Sequence, residues 1–245
     1  LWETFWERAS RTKMGSYLTG IEVDFIVGRI DLAVCDYVAD IGCEAGRFSL
    51  LVAKGGVNVL AIDIDLAGLK RLKEKGNERV HLILADARRM PFRDGTLSAV
   101  LAIQVLDYIP QLREVVGECR RVLKRGGSVI LSSGNRTSLK SKLKGLRGSR
   151  YMHSYRDVMR GLRDGGFSVR DREGYNWLPF NRISESGLLP AFARIEGALG
   201  LRRLPNISPW ILVHAVKGGR GPERGRTEDL ALPAPDYAPR QRTGS

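Results

Sequence analysis

The stretch "VADIGCEAGRFSLLVA", residues 38–53, decides how the rest of the chain is read. An apolar, strand-like run carries an acid, Asp40, near its end. Gly42 and Gly46 then frame a short turn, and a helix begins directly after it. A glycine-rich turn between a strand and its helix brings bare backbone amides close to a ligand. The spacing here is D-x-G-x-x-x-G, whereas a dinucleotide site needs G-x-G-x-x-G so that amides and a helix N-terminus can hold a pyrophosphate. Glu44 occupies the middle-glycine position. A carboxylate there repels a pyrophosphate and costs little beside a cation. The loop therefore suits an adenosyl ligand that lacks phosphates and carries positive charge.

Outward from the loop, residues 36–133 alternate between two patterns. Short apolar runs rich in β-branched residues, at 37–41, 57–62, 80–84, 99–103 and 128–131, predict strands. Between them, 46–54, 66–75 and 112–123 have helical spacing. Such alternation argues for an α/β fold, a doubly wound parallel sheet with helices on both faces. Gly126-Gly127 after "CRRVLKR" is expected to stop a helix whose last turn is basic. Ser154 and Asp157 form a capping box for a further helix, which Gly165-Gly166 ends. A sixth strand starts at 167–169, and "WILVHAV", 210–216, makes a seventh.

The domain expectation follows. Residues 1–30 form a helical N-terminal segment, with Trp2, Phe5, Trp6, Tyr17, Leu18, Ile21 and Phe25 at helical spacing. Residues 31–217 form the main domain. Within it 177–209 is a lid-like insertion whose short helix has one apolar face marked by Leu188, Phe192 (or Leu189), Ile195 and Leu199. From 218 to 245 Gly, Pro and charge dominate, the composition of a disordered tail.

Two further acids test the loop. Asp63 ends the second strand in "VLAIDID", where a carboxylate can accept hydrogen bonds from both ribose hydroxyls. Asp86 ends the third in "LILADARRMPF", placed to accept from an adenine amino group while the Ala87 amide reaches the ring edge. Each acid alone can be a helix-capping loop residue. Three at the carboxyl ends of successive parallel strands mark the edge where ligands bind in open α/β sheets. S-adenosylmethionine, with its sulfonium and ammonium charges, fits that set.

The segments "VADIGCEAGRFS", "LAIDID", "ADARRMPF", "AVLAIQVLDYI" and "RRVLKRGGSVILSS" resemble the successive motifs of class I S-adenosylmethionine-dependent methyltransferases, above all the small-molecule, type 11-like group with a D-A-x-x-x-P-F segment. The resemblance covers residues 38–133 well and the later segments more loosely. It implies a Rossmann-like sheet of about seven strands, mostly parallel with an antiparallel last strand. It also implies a methyl-transferring enzyme with S-adenosyl-L-methionine as cofactor. Asp40, Gly42 and Glu44 would border the methionine end, Gly46 would start the helix, Asp63 with Ile64 would hold the ribose, and Asp86 with Ala87 the adenine. Glu44 departs from the glycine usual there. Just after the fourth strand, Gln104, Asp107 and Tyr108 would face the acceptor, Gln104 also touching the cofactor. No N/D-P-P-Y-like segment occurs there, which weakens a base-amine acceptor.

Methyl transfer from a sulfonium is an in-line displacement, so alignment and water exclusion dominate, and a base is needed only if the acceptor must lose a proton. Asp107, Tyr108 and His153 are the candidates for that role; Asp107 equally suits a helix start. Tyr175 and Trp177 could line the acceptor pocket or belong to the core.

The formal net charge is +13, and residues 136–172 hold eleven Lys and Arg against three Asp. This suits a solvated face, an anionic acceptor, a nucleic acid or an anionic membrane surface. Cys35, Cys43 and Cys119 have neither disulfide nor metal spacing, so no metal site and a reducing cytoplasm are expected. No apolar run is long enough for a membrane span, and the start shows no signal-peptide pattern, with Leu1 leaving the native start open. The expected acceptor is a small molecule, glycan or lipid-linked compound, with an anionic form and a contact with the membrane periphery among the expectations. The alternatives are a tRNA or rRNA methyltransferase and a non-catalytic cofactor-binding protein.

Overall fold

The computed structural model describes residues 3–143 and 153–218. Two helices open the chain, α1 (Phe5–Arg11) and α2 (Lys13–Val27). Thr12 ends the first and caps the second, accepting the Gly15 amide on its hydroxyl. The alternating region follows as β1 (Tyr37–Ile41), α3 (Arg47–Ala53), β2 (Asn58–Asp63), α4 (Leu66–Glu74), β3 (Val80–Leu84) and β4 (Leu97–Ala102). Then come α5 (Leu112–Val122), β5 (Leu123–Gly134), α6 (Leu139–Leu143), α7 (Tyr155–Asp164), β6 (Phe167–Tyr175), α8 (Leu189–Ala198) and β7 (Trp210–Lys217).

The seven strands form one sheet in the order β3-β2-β1-β4-β5-β7-β6. Every neighbour pairing from β3 to β5 is parallel, and β7 runs antiparallel to both β5 and β6. The sheet order reverses between β1 and β4. Crevices at such a reversal, outside the carboxyl ends of the strands, are where α/β sheets bind ligands.

Period-two alternation sorts the strand residues onto two faces. Ala39, Val100, Val213 and Ala215 pack with Leu112, Val115 and Val116 of α5 and Val158 and Leu162 of α7. On the other face Val38, Ala99, Leu101 and Leu212 meet Leu18, Ile21 and Phe25 of α2 and Phe48 and Val52 of α3. Burying a Leu or Phe side chain of this kind stabilises the fold by about 1.5–3 kcal/mol. Helix α2 is thus part of the second core.

Two local expectations change. The helix before Gly126-Gly127 ends at Val122, because Leu123 turns extended, becomes fully buried and pairs with Leu97. Pairing resumes at Ala99 with Ser128, so residues 124–127 bulge out, and Gly126 takes a φ of +77° there. On α8 the apolar residues do not share one buried face. Leu189 is buried and Phe192 packs edge-on against Phe180, while Leu188, Ile195 and Leu199 are 62, 53 and 66% exposed. The Ser154–Asp157 capping box on α7 is present as expected. The expected tail lies outside the described residues, apart from Gly218, as do residues 144–152 of the basic stretch. No helix of the described residues is long and apolar enough to cross a membrane.

Candidate active site

Asp40 sits at the end of β1, 2% exposed, and accepts a hydrogen bond from the Ser49 hydroxyl at 2.6 Å. Burial pushes its carboxyl up to about 6. The loop after it is tied to the neighbouring strand: the Gly42 and Cys43 amides both donate to the Ile62 carbonyl, at 2.8 and 3.1 Å. Gly42 and Gly46 have φ of +70° and +82°. A Cβ on Gly42 would lie 2.4 Å from a Val105 methyl, and one on Gly46 2.2 Å from a Leu72 methyl. Both positions are closed to side chains by conformation and by space.

Glu44, between them, has a φ of +47°, a region that costs a non-glycine residue roughly 1–2 kcal/mol. Its amide donates to Asp63 Oδ2 at 2.7 Å. Burial pushes its own carboxyl above the ordinary value, against a hydrogen bond from the Thr4 side chain at the cap of α1. Glu44 therefore links the loop to α1, a connection its sequence position does not reveal.

Asp63 closes β2 and takes a second amide, that of Asp65, on Oδ1 at 2.9 Å. Each oxygen keeps a further lone pair for a ligand hydroxyl. Ile64, next to it, is 71% exposed. Asp86 lies two residues past the end of β3. Arg88 grips it with a two-pronged guanidinium contact and its own amide, and this holds the carboxyl below its ordinary value despite partial burial. Ala87 is buried beside it.

Across the sheet reversal stands a polar cluster of which sequence reasoning found Gln104 and Tyr175 but missed Glu22, Arg47 and Arg182. Gln104, just past β4, adopts a φ of +61° and is 5% exposed. Its amide side chain donates to Oε1 of Glu22, a fully buried carboxylate on α2. The same oxygen accepts the Tyr175 hydroxyl at 2.7 Å, and Oε2 accepts Arg47 Nη1 at 3.2 Å. Arg182 Nη2 stands 3.5 Å from Oε1. Trp6 of α1 covers both guanidinium groups, at 5.5 Å from Arg47 and 4.8 Å from Arg182. Glu7 fastens α1 in place through ion pairs to Arg71 of α4 and Lys75 just after it; with the Thr4 amide they outweigh its burial and hold its carboxyl at about 2. One signal for the cluster exists in the sequence: Glu22 falls one turn after Leu18 and beside Ile21 and Phe25, on the apolar stripe of α2.

The candidate bases diverge. Asp107, 9% exposed, accepts the Gly134 amide at 3.0 Å and lies 3.5 Å from the Ser133 hydroxyl; burial pushes it up to about 6. Tyr108 is 61% exposed. The His153 ring meets the Ile109 carbonyl at 2.9 Å and is 6% exposed. No hydrogen bond joins any two of the three. Among the described residues no group of three His, Cys, Asp or Glu stands together as a metal site would require.

Residues 39–131 match the methyltransferase domain family. The chain is 27% identical over 218 residues to the ubiquinone biosynthesis O-methyltransferase of Methylococcus capsulatus, covering 79% of this chain and 91% of that protein. It is 29% identical to the protein of the same description from Pseudomonas aeruginosa, over 73% of this chain and 84% of the relative. Among solved structures, an S-adenosylmethionine-dependent methyltransferase from Archaeoglobus fulgidus superposes with a TM-score of 0.58 at 20% identity, covering 82% of this chain and 94% of that one, a likeness of fold.

Proposed function

The chain is a class I S-adenosylmethionine-dependent methyltransferase, and from that premise we propose that it methylates a small molecule bound under the roof of α1, α2 and residues 177–209. The observation that carries this is the enclosure of the acceptor half of the sheet edge. Gln104 and Glu22 lie buried beneath α2 and the Trp6 and Tyr175 side chains, a covered setting that favours a small molecule over a nucleic-acid duplex. The relatives described as O-methyltransferases of ubiquinone biosynthesis favour a hydroxyl acceptor.

The donor set fits the cofactor. Asp63, oriented by two amides, has lone pairs for the ribose hydroxyls, and exposed Ile64 offers an apolar surface to the adenine. The Ala87 amide reads the ring edge, and Asp86 contributes where Arg88 swings off it. Asp40, Gly42, Glu44 and Gly46 shape the methionine end, with Gln104 at the boundary to the acceptor. Bound there, S-adenosylmethionine supplies an electrophilic methyl group. The protein aligns the acceptor with it and keeps water out. Asp107 braces the turn after β4 against β5 through the Gly134 amide, which makes it a positioning residue.

Residues 1–30 thus act as part of the roof, 31–217 as the transferase domain and 177–209 as its lid. The exposed Leu188, Ile195 and Leu199 suit a greasy or lipid-linked acceptor presented at a membrane surface.

The test is methyl transfer from labelled S-adenosylmethionine to fractionated cell extract, with and without nuclease. Label in an organic-soluble or small-molecule fraction that survives nuclease is expected. Label confined to a nuclease-sensitive polymer would replace this reading with RNA methylation, and no transfer despite cofactor binding would make the chain a non-catalytic binder.

A further inference from the structure

We propose that Arg182, backed by Arg47, forms a carboxylate-binding subsite for the methyl acceptor, so that the acceptor is a small monocarboxylic acid. The proposal rests on the small-molecule reading above and narrows it.

The cluster holds more buried cation than it can satisfy. Arg47 commits Nη1 to Glu22 Oε2 and to the Thr19 hydroxyl. Glu22 Oε1 already accepts from Gln104 and Tyr175. Arg182 comes third to that oxygen, at a distance too long for a hydrogen bond, and both its Nη1 and Nη2 are buried without a hydrogen-bond partner. Asp40 and Glu44, the other acids whose charge reaches Arg47, form no ion pair with either arginine, and Asp40 is bonded to Ser49. The Trp6 and Trp210 rings, 4.8 and 5.9 Å from the Arg182 guanidinium, attract its charge through their faces but offer no in-plane acceptor. A buried guanidinium left this way is costly, and one carboxylate placed against it would remove the cost through a charge-assisted fork.

Two more features give the subsite a direction. Trp177 Nε1, five residues before Arg182 on the same segment, is a second buried donor without a partner. Gln104 Oε1 is a buried acceptor without one, since its amide nitrogen must face the Glu22 carboxylate. The orphaned donors thus stand on the segment that roofs the site, and the orphaned acceptor at the end of β4.

Position separates this subsite from the ribose and adenine end of the cofactor site, while Arg47 and Gln104 adjoin its methionine end. Asp63 ends β2 and Asp86 lies just past β3, on one side of the sheet reversal. Tyr175 ends β6 and Trp210 begins β7, on the other side, and these two pair directly in the sheet. Arg182 stacks near Trp210. Two guanidinium groups share the one carboxylate of Glu22, which leaves Arg182 without an in-plane acceptor of its own and open to a monoanion. Trp6 covers Arg182 on the side of α1.

The experiment is calorimetric titration of protein saturated with S-adenosylhomocysteine, using benzoate and octanoate against the neutral benzamide and octanamide. The acids should bind at least tenfold more tightly than the amides, and R182Q should erase the difference while its affinity for S-adenosylhomocysteine stays within threefold. Equal binding of acids and amides by the unaltered protein overturns the proposal, and this arm stands even if R182Q fails to fold. A tenfold loss of S-adenosylhomocysteine binding in R182Q with benzoate binding intact would assign the arginine to the cofactor's own carboxylate and overturn it as well. In the extract assay, a labelled product that enters organic solvent only after acidification supports the subsite. A neutral labelled small molecule overturns the subsite alone, whereas label confined to RNA overturns the small-molecule reading with it.

Discussion

The Asp63 carboxylate accepts the backbone N–H of Glu44 at 2.7 Å, across nineteen residues of chain. The acid assigned to the ribose and the strained middle of the glycine loop are therefore one unit. Replacing Asp63 with Ala should remove a charge-assisted contact worth about 1.5–3 kcal/mol, a ten- to hundredfold loss of S-adenosylmethionine affinity by calorimetry. Asp63→Asn, which offers only one oxygen to two amides, should fall between. Unchanged affinity in the Ala variant would remove Asp63 from the site.

Glu44 pairs a left-handed backbone with a side chain that reaches Thr4. Substituting Gly relieves the φ strain but adds chain entropy to the unfolded state, so stability should change by under about 1 kcal/mol. Cofactor affinity should stay within about tenfold, because the amide bond to Asp63 survives. NAD should not bind the unaltered protein, and tight NAD binding would overturn the loop argument.

Asp107 supplies a pH prediction. Its carboxyl is pushed up to about 6 by burial, so the folded state binds the proton more tightly than the unfolded chain does. That stabilisation is complete below about pH 4 and is lost as pH rises through the folded value. Asp107→Asn keeps an oxygen for the Gly134 amide and cannot ionise. The variant should be more stable than the parent above pH 7, by on the order of 1–3 kcal/mol, with the gap closing toward pH 4. Urea denaturation at pH 4, 6 and 8 measures it, and a gap that does not vary with pH would contradict the assignment.

The outward residues of α8 give a fourth expectation. Leu188, Ile195 and Leu199 lie at helical spacing and are all more than half exposed. If they meet a membrane surface, changing all three to Ser should abolish co-flotation with anionic vesicles and leave the melting temperature within a few degrees. Equal flotation of variant and parent would show that the face serves something else.

The sequence by itself determined the sheet, its alternating helices and the three acids at the strand ends. Those features rest on local periodicity and on turns of a few residues, where side-chain type and backbone conformation are directly coupled. Asp40, Gly42, Gly46 and Asp63 were legible for that reason, and so was the capping box at Ser154. Charge was legible only as an amount: the net +13 gave no sign that the two cations nearest the acceptor half would be Arg47 and Arg182, buried against Glu22. Glu22 meets Tyr175 across 153 residues and Gln104 across 82. No periodicity reports such a meeting, because it exists only once α2 has packed on the sheet and the segment after β6 has folded over it. The same reason separates the two sides of α8. The pattern shows that its residues are apolar, but only the helix's seat against Phe180 decides that Leu189 and Phe192 turn inward while Leu188, Ile195 and Leu199 stay in solvent.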